Sequence, residues 1–113
     1  MSERTLDALE RVLEGDGEAD DVLRSAVAAL VEEPEIEWAA VAFLEDGRLV
    51  VGPEAGEPDE TRRQRVPVLY DGAPVGELQA DGSVAAALLT RAAELLSTHV
   101  LVGWDTGGER WQP

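Results

Sequence analysis

Four groups of residues in this 113-residue chain have types and spacing that could do chemistry. The first is Asp105-Thr106-Gly107, which follows the apolar run Val100-Leu101-Val102. Two aspartates on facing loops of this kind can share a proton and activate water. Only six residues follow Gly107, too few for a flap and a supporting strand, so water activation is not expected here. The second group is His99 with Ser97 or Ser83, a candidate base and nucleophile. No Gly-x-Ser-x-Gly elbow surrounds either serine. His99 sits where a helix C-terminus is expected, and an imidazolium is modestly favourable there. The third is Gly15 to Asp21, GDGEADD, which superficially resembles a calcium loop. Counted from Asp16, position six is Asp21 where Gly is required, and position twelve is Val27 where a bidentate Glu is required. A loop between two helices fits it better, and no metal site is expected. The fourth is Arg62, Arg63 and Arg65, clustered in a chain with only nine basic residues. Arginines so grouped can hold an anionic ligand or an acidic partner through bidentate hydrogen bonds. Equally, they can neutralise Asp59 and Glu60 beside them.

Composition removes further classes of function. The formal net charge is −15, and every basic residue is Arg. Such a charge opposes non-specific binding to nucleic acid and to anionic lipid. Without cysteine the chain forms no disulfide, thiolate metal site or thiol nucleophile. No apolar run approaches the roughly 20 residues of a membrane span. MSERTLDALERVLE at the N-terminus is charged and amphipathic, with no apolar signal core, so a cytoplasmic location is expected. No cofactor is implied.

The elements that would position these residues follow from periodicity. Leu6, Leu9 and Leu13 recur at helical spacing and predict a first amphipathic helix within residues 1–14. Leu23, Val27, Leu30 and Val31 predict a second, with Asp20 or Asp21 as its N-cap and Pro34 beyond its end. Ile36 to Leu44 is apolar on both faces apart from Glu37, as in a central strand. Asp46-Gly47 is a hairpin signal, so Arg48 to Gly52 is read as the return strand. Pro53 to Glu60 is read as a polar loop. Arg63 to Tyr70 and Pro74 to Ala80 flank a second hairpin turn, Asp71-Gly72. Pro67 cannot donate to a ladder, which puts its strand at an edge or a bulge. Ser83 is the expected N-cap of a long last helix with Leu88, Ala92, Leu95 and Leu96 on its apolar stripe, and Gly103 is its expected stop. The sum is one α+β domain, an antiparallel sheet of two hairpins packed on N-terminal and C-terminal helices. Its core spans residues 21–102, with a tail at 103–113. In that tail, a turn at Asp105 to Gly108 is expected to fold Trp104 and Trp111 back as a packing clasp.

The strand WAAVAFLEDGRLVV, the hairpin VPVLYDGAPVGELQADG and the Ala- and Leu-rich helix after it resemble a GAF domain in a short form. The matching motifs are Val66-Pro67-Val68, Asp71-Gly72 and Gly76-Glu77-Leu78. The resemblance implies a sensory or dimerising module, with small ligands bound by some members. It also implies departures. The segment between the hairpins is short for a ligand lid, and the missing cysteines exclude the usual bilin attachment. They likewise exclude the redox chemistry of the free-methionine sulfoxide reductases that share the fold. The function expected is therefore a non-enzymatic GAF-like sensory or dimerisation module. The alternative is a roadblock- or profilin-like scaffold without a small ligand. The ligand-binding candidates are Arg62, Arg63 and Arg65. A homodimer is expected through Leu6, Leu9, Leu13, Leu88, Leu95, Trp104 and Trp111, and a protein partner in signalling or gene regulation is the other partner considered.

Overall fold

A computed structural model describes residues 3–15 and 17–110 of the chain, and the side chains of residues 4–15 and 17–101. Helices α1 (Glu3–Leu13) and α2 (Ala19–Val31) come first. Strands β1 (Ile36–Glu45) and β2 (Arg48–Gly56) form the first hairpin. A 3-10 turn (Glu60–Arg62) leads to the second hairpin, β3 (Arg63–Tyr70) and β4 (Ala73–Gly82), and α3 (Ala86–Arg110) closes the order. Every strand pairing is antiparallel, and the strand order is β2-β1-β4-β3. The two hairpins thus join through β1 and β4, which makes β1 central and leaves β3, with Pro67, at an edge.

Both hairpin turns are two residues long, and both put Asp as well as Gly at positive φ: 49° and 78° at Asp46-Gly47, 56° and 80° at Asp71-Gly72. That backbone twist matches the twist of the flanking strands, which is why Asp-Gly favours it. One face of the sheet carries Ala39 and Val41 of β1, Leu78 and Ala80 of β4, and Val66 and Val68 of β3. These pack with Leu23, Val27 and Leu30 of α2 and with Leu89, Leu96 and Val100 of α3 in one hydrophobic cluster. α1 lies outside, against α2 and α3.

Several expectations are corrected here. Leu6 and Leu9 are 7% and 0% exposed, so both belong to the core that α1 shares with α2 and α3. Neither is free to form a dimer face. Leu13, Leu88 and Leu95 are half-buried against the same cluster. Glu18, rather than Asp20 or Asp21, occupies the N-cap of α2, without a side-chain hydrogen bond. Ser83 lies three residues before α3 and caps nothing: its N–H donates to Glu35 O at 3.0 Å and its Oγ accepts from Arg62. β2 continues through Pro53 to Gly56, because a bulge opposite Ala40 and Ala42 absorbs the proline. The backbone of α3 passes through Gly103 and the Asp-Thr-Gly-Gly stretch without stopping. A mid-helix Gly costs only about 1 kcal/mol relative to Ala, so it ends a helix only when the chain takes a left-handed turn there. The folded-back tail is therefore not formed by a turn at Asp105 to Gly108. The side chain of Trp104, and Trp111 altogether, lie outside the described residues.

Candidate functional site on the outer face of the sheet

Side chains alternate along a strand, so the residues that skip the core line the opposite face. In register these are Arg63, Asp81 and Trp38 in one row, then Arg65, Gln79 and Ala40, then Pro67, Glu77 and Ala42. Two of the three clustered arginines therefore point away from the helices, and Arg62 sits at the end of the 3-10 turn just before them.

Asp81 is the hub of the hydrogen bonds at the end of this face. Its side chain is fully buried, yet each oxygen is used. Arg63 donates from Nε to Oδ1 at 2.8 Å and from a terminal nitrogen to Oδ2 at 3.0 Å, a bidentate fork. The backbone N–H of Asp59 donates to Oδ2 at 2.5 Å. Burial alone would raise the Asp81 carboxyl, but the hydrogen bonds from Arg63 and Asp59, with the nearby positive charge, outweigh it and hold the group below the usual carboxylate range. Arg63 is held correspondingly above its ordinary value, chiefly by the Asp81 hydrogen bond. Its guanidinium lies 4.1 Å from the centroid of the Trp38 ring. Trp38 is only 3% exposed, and its indole N–H donates to Glu54 Oε1 at 3.0 Å.

A six-residue strap, residues 57–62, crosses the end of the face. Asp81 anchors it at Asp59, and Arg62 anchors it through an ion pair with Glu37 and a 2.7 Å hydrogen bond to Ser83 Oγ. Asp59 also accepts from the N–H and the hydroxyl of Thr61, which shapes the 3-10 turn. Gly82 lets the end of β4 pass close to the chain that enters β1: its φ is 141°, and a Cβ there would run into the carbonyl of Glu35.

The three arginines are thus brought to one face, but each is engaged within the chain. Arg62 faces Glu37, Arg63 grips Asp81, and Arg65 lies 3.7 Å from Glu77. Asp59 is held by its own hydrogen bonds, and Glu60 is a 3.6 Å neighbour of Arg63. Sequence reasoning missed Asp81 and Trp38. The signal was present in the alternation Glu77, Gln79, Asp81, three polar residues on one face of a strand whose other face is apolar. Among the described residues no group of three or more His, Cys, Asp or Glu could hold a metal ion.

The architecture has solved counterparts. The GAF domain of a phosphoenolpyruvate-protein phosphotransferase from Acinetobacter superposes with a TM-score of 0.72, covering 96% of this chain and 99% of that one at 16% identity. The corresponding GAF domain from Coxiella burnetii gives 0.73, with 92% and 96% covered at 12% identity. The chain has the GAF fold. In place of the helix that the profilin-like alternative inserts between its second and third strands, this GAF fold has the three-residue turn Glu60–Arg62. No protein-family model matches the sequence, and comparison with curated proteins finds no match.

One expectation about activity is overturned by the same comparison. Free methionine-R-sulfoxide reductase from Neisseria meningitidis, solved with its substrate, shares the GAF fold at a TM-score of 0.73, with 92% of this chain and 90% of that chain covered at 16% identity. The GAF fold therefore carries enzymes, and membership of it is no argument that this chain lacks activity. Cysteine chemistry alone is excluded by composition. Among the described residues no helix is long and apolar enough to cross a membrane.

Proposed function

We propose that this GAF-like chain is a regulatory module that works through contact with another protein, with the outer face of its sheet closed by its own side chains. The observation that carries this is the Arg63–Asp81–Trp38 row. Where a cavity for a small ligand would be needed, Trp38 and Asp81 are buried beneath Arg63, and the strap is pinned to the same carboxylate. Among the described residues a hollow of about 610 Å³ lies between α1 and the end of α2, lined by Arg4, Arg11, Glu32 and Glu33. Among the described residues the large exposed apolar side chains, by contrast, sit on the hairpin arms: Leu49, Val50 and Val51 on β2, Leu69 and Tyr70 on β3.

The test is a two-dimensional amide NMR titration with cyclic nucleotides, nucleoside phosphates and inorganic phosphate. The expected result is no saturable shift among residues 37–40, 59–65 and 79–83. Saturable shifts there would overturn the closed-face reading. They would favour a second one, in which the strap lifts and offers Arg62, Arg63 and Arg65 to a small anion. That reading draws on the few side-chain contacts that hold residues 57–62.

A further inference from the structure

The two edges of the sheet are not equally open. On β3, Pro67 lacks an N–H, so this edge cannot carry an uninterrupted ladder to a further strand. β2 is different. A two-residue hairpin loop is flanked by a hydrogen-bonded pair, here Glu45 and Arg48, and pairs then alternate. Arg48 and Val50 consequently turn their backbone groups to β1, while Leu49 and Val51 turn theirs outward. No strand lies beyond β2 among the described residues. Leu49, Val50 and Val51 are 45%, 46% and 49% exposed, three consecutive apolar residues on an open edge. Protein edges are usually blunted by charge, proline or a bulge, and here the proline and the bulge come only after Val51.

Charge decides what can dock. The apolar stretch is bracketed by Glu45 and Asp46 on one side and by Glu54 and Glu57 on the other, with Arg48 the one opposing charge. A second copy pairing antiparallel about Val50 would place Leu49 against Val51 favourably. It would also bring Asp46 of each copy towards Glu54 of the other, since each lies four positions from Val50. Like charges set opposite each other are destabilising, and each copy adds a net charge of −15. A strand with an apolar centre and basic ends sets its charges against the acidic residues that bracket this edge.

We infer that the β2 edge, residues 48–52, is a docking site for an extended segment of a partner protein that adds to the sheet as a fifth strand, with apolar side chains over Leu49 and Val51 and Lys or Arg at its ends. This is recognition by strand addition: backbone hydrogen bonds hold the segment, and alternate side chains select it. The inference rests on the proposed role in protein contact and gives it a surface and a partner chemistry.

The experiment titrates the labelled chain with the capped peptide Lys-Lys-Val-Thr-Val-Thr-Val-Lys-Lys, and with its analogue carrying Glu in place of Lys. The basic peptide is expected to give saturable amide shifts centred on residues 48–52 and to slow hydrogen exchange of the Leu49 and Val51 N–H groups at least tenfold. The acidic analogue is expected to bind at least tenfold more weakly. The variant Leu49→Lys/Val51→Lys changes only exposed side chains and is expected to keep the native spectrum elsewhere while losing the response. Val51→Pro, which removes an outward N–H, is expected to lose it as well. The inference is overturned by the absence of shifts at millimolar peptide, or by equal binding of both peptides. It is also overturned by shifts at 48–52 that depend on chain concentration without peptide, which would assign the edge to a second copy. Failure here with the outer face inert to small anions removes the surface alone. Saturable anion binding at residues 59–65 would remove the functional reading itself.

Discussion

Arg63→Ala tests the hub at the end of the outer face. The substitution removes two hydrogen bonds to a carboxylate that has no exposure and strips the guanidinium from Trp38. Removing one partner of a buried ion pair costs about 3–5 kcal/mol, because the remaining charge is left uncompensated. The lost ring contact adds about 0.5–1 kcal/mol. Two features pull towards the lower end: the Asp59 N–H stays on Asp81, and the Arg63 side chain is 12% exposed, so water can enter where it was. We therefore expect a loss of about 3 kcal/mol. With an m-value of about 1.5 kcal/mol/M, the urea midpoint falls by roughly 2 M. The double variant Arg63→Met/Asp81→Leu removes both charges together and should cost less than Arg63→Ala, because no buried charge remains. Equilibrium urea unfolding of wild type, Arg63→Met, Asp81→Leu and the double variant gives the coupling directly. A loss below about 1 kcal/mol for Arg63→Ala, or a double variant whose cost equals the sum of the singles, would refute the assignment of this pair as the buried clamp of the face.

Other outcomes follow from the same geometry. The Asp81 carboxyl is depressed in the folded state, so its stabilising effect is present above the unfolded carboxyl value of about 3.9 and is lost as pH falls through and below it; the stability gap between wild type and Asp81→Asn should narrow between about pH 5 and pH 2 in urea melts. Arg62→Ala should cost less than about 1 kcal/mol, because Arg62 and Glu37 are 43% and 45% exposed, yet it should speed amide exchange across residues 57–62. Leu9→Ala should cost about 2–5 kcal/mol in thermal or urea unfolding, as expected of a fully buried leucine; a near-neutral result would return that residue to the surface. Gly82→Ala should lose at least about 1–3 kcal/mol, from the strained φ alone.

The parts of this fold legible in the sequence are those written in short-range chemistry. Asp46-Gly47 and Asp71-Gly72 state their turns outright, and Pro67 narrows its strand to an edge or a bulge, of which β3 is the edge. The alternation of Val66, Val68, Leu78 and Ala80 states which face meets the helices. What the sequence hid depends on distant partners. Asp81 is an ordinary acid until β4 is set beside β3 and the strap is laid over it, and the arginine that matches it is 18 residues away. The same holds for Leu6 and Leu9, whose spacing defines an apolar stripe without saying whether this chain or another covers it. Gly103 misled for the opposite reason: a local preference worth about 1 kcal/mol was weighed as a stop. The candidate site was reached through Arg62, Arg63 and Arg65, and each of them has an acidic neighbour in the same chain.

The order β2-β1-β4-β3 obliges the chain to travel from one edge of the sheet to the other between its hairpins. That crossing spans three strand spacings, about 14 Å, and residues 57–62 make it with little slack, because three of the six are coiled in a 3-10 turn. The crossover is thus a length gauge, and its tightness is what brings Asp59 onto Asp81. Closing a longer loop is cheap, about 0.6 kcal/mol for each doubling. Insertions between Gly56 and Arg63 would leave all four strands in register while releasing Asp59 from the carboxylate, so this connection is the place where a designer could hollow out a chamber in the same scaffold without redrawing it.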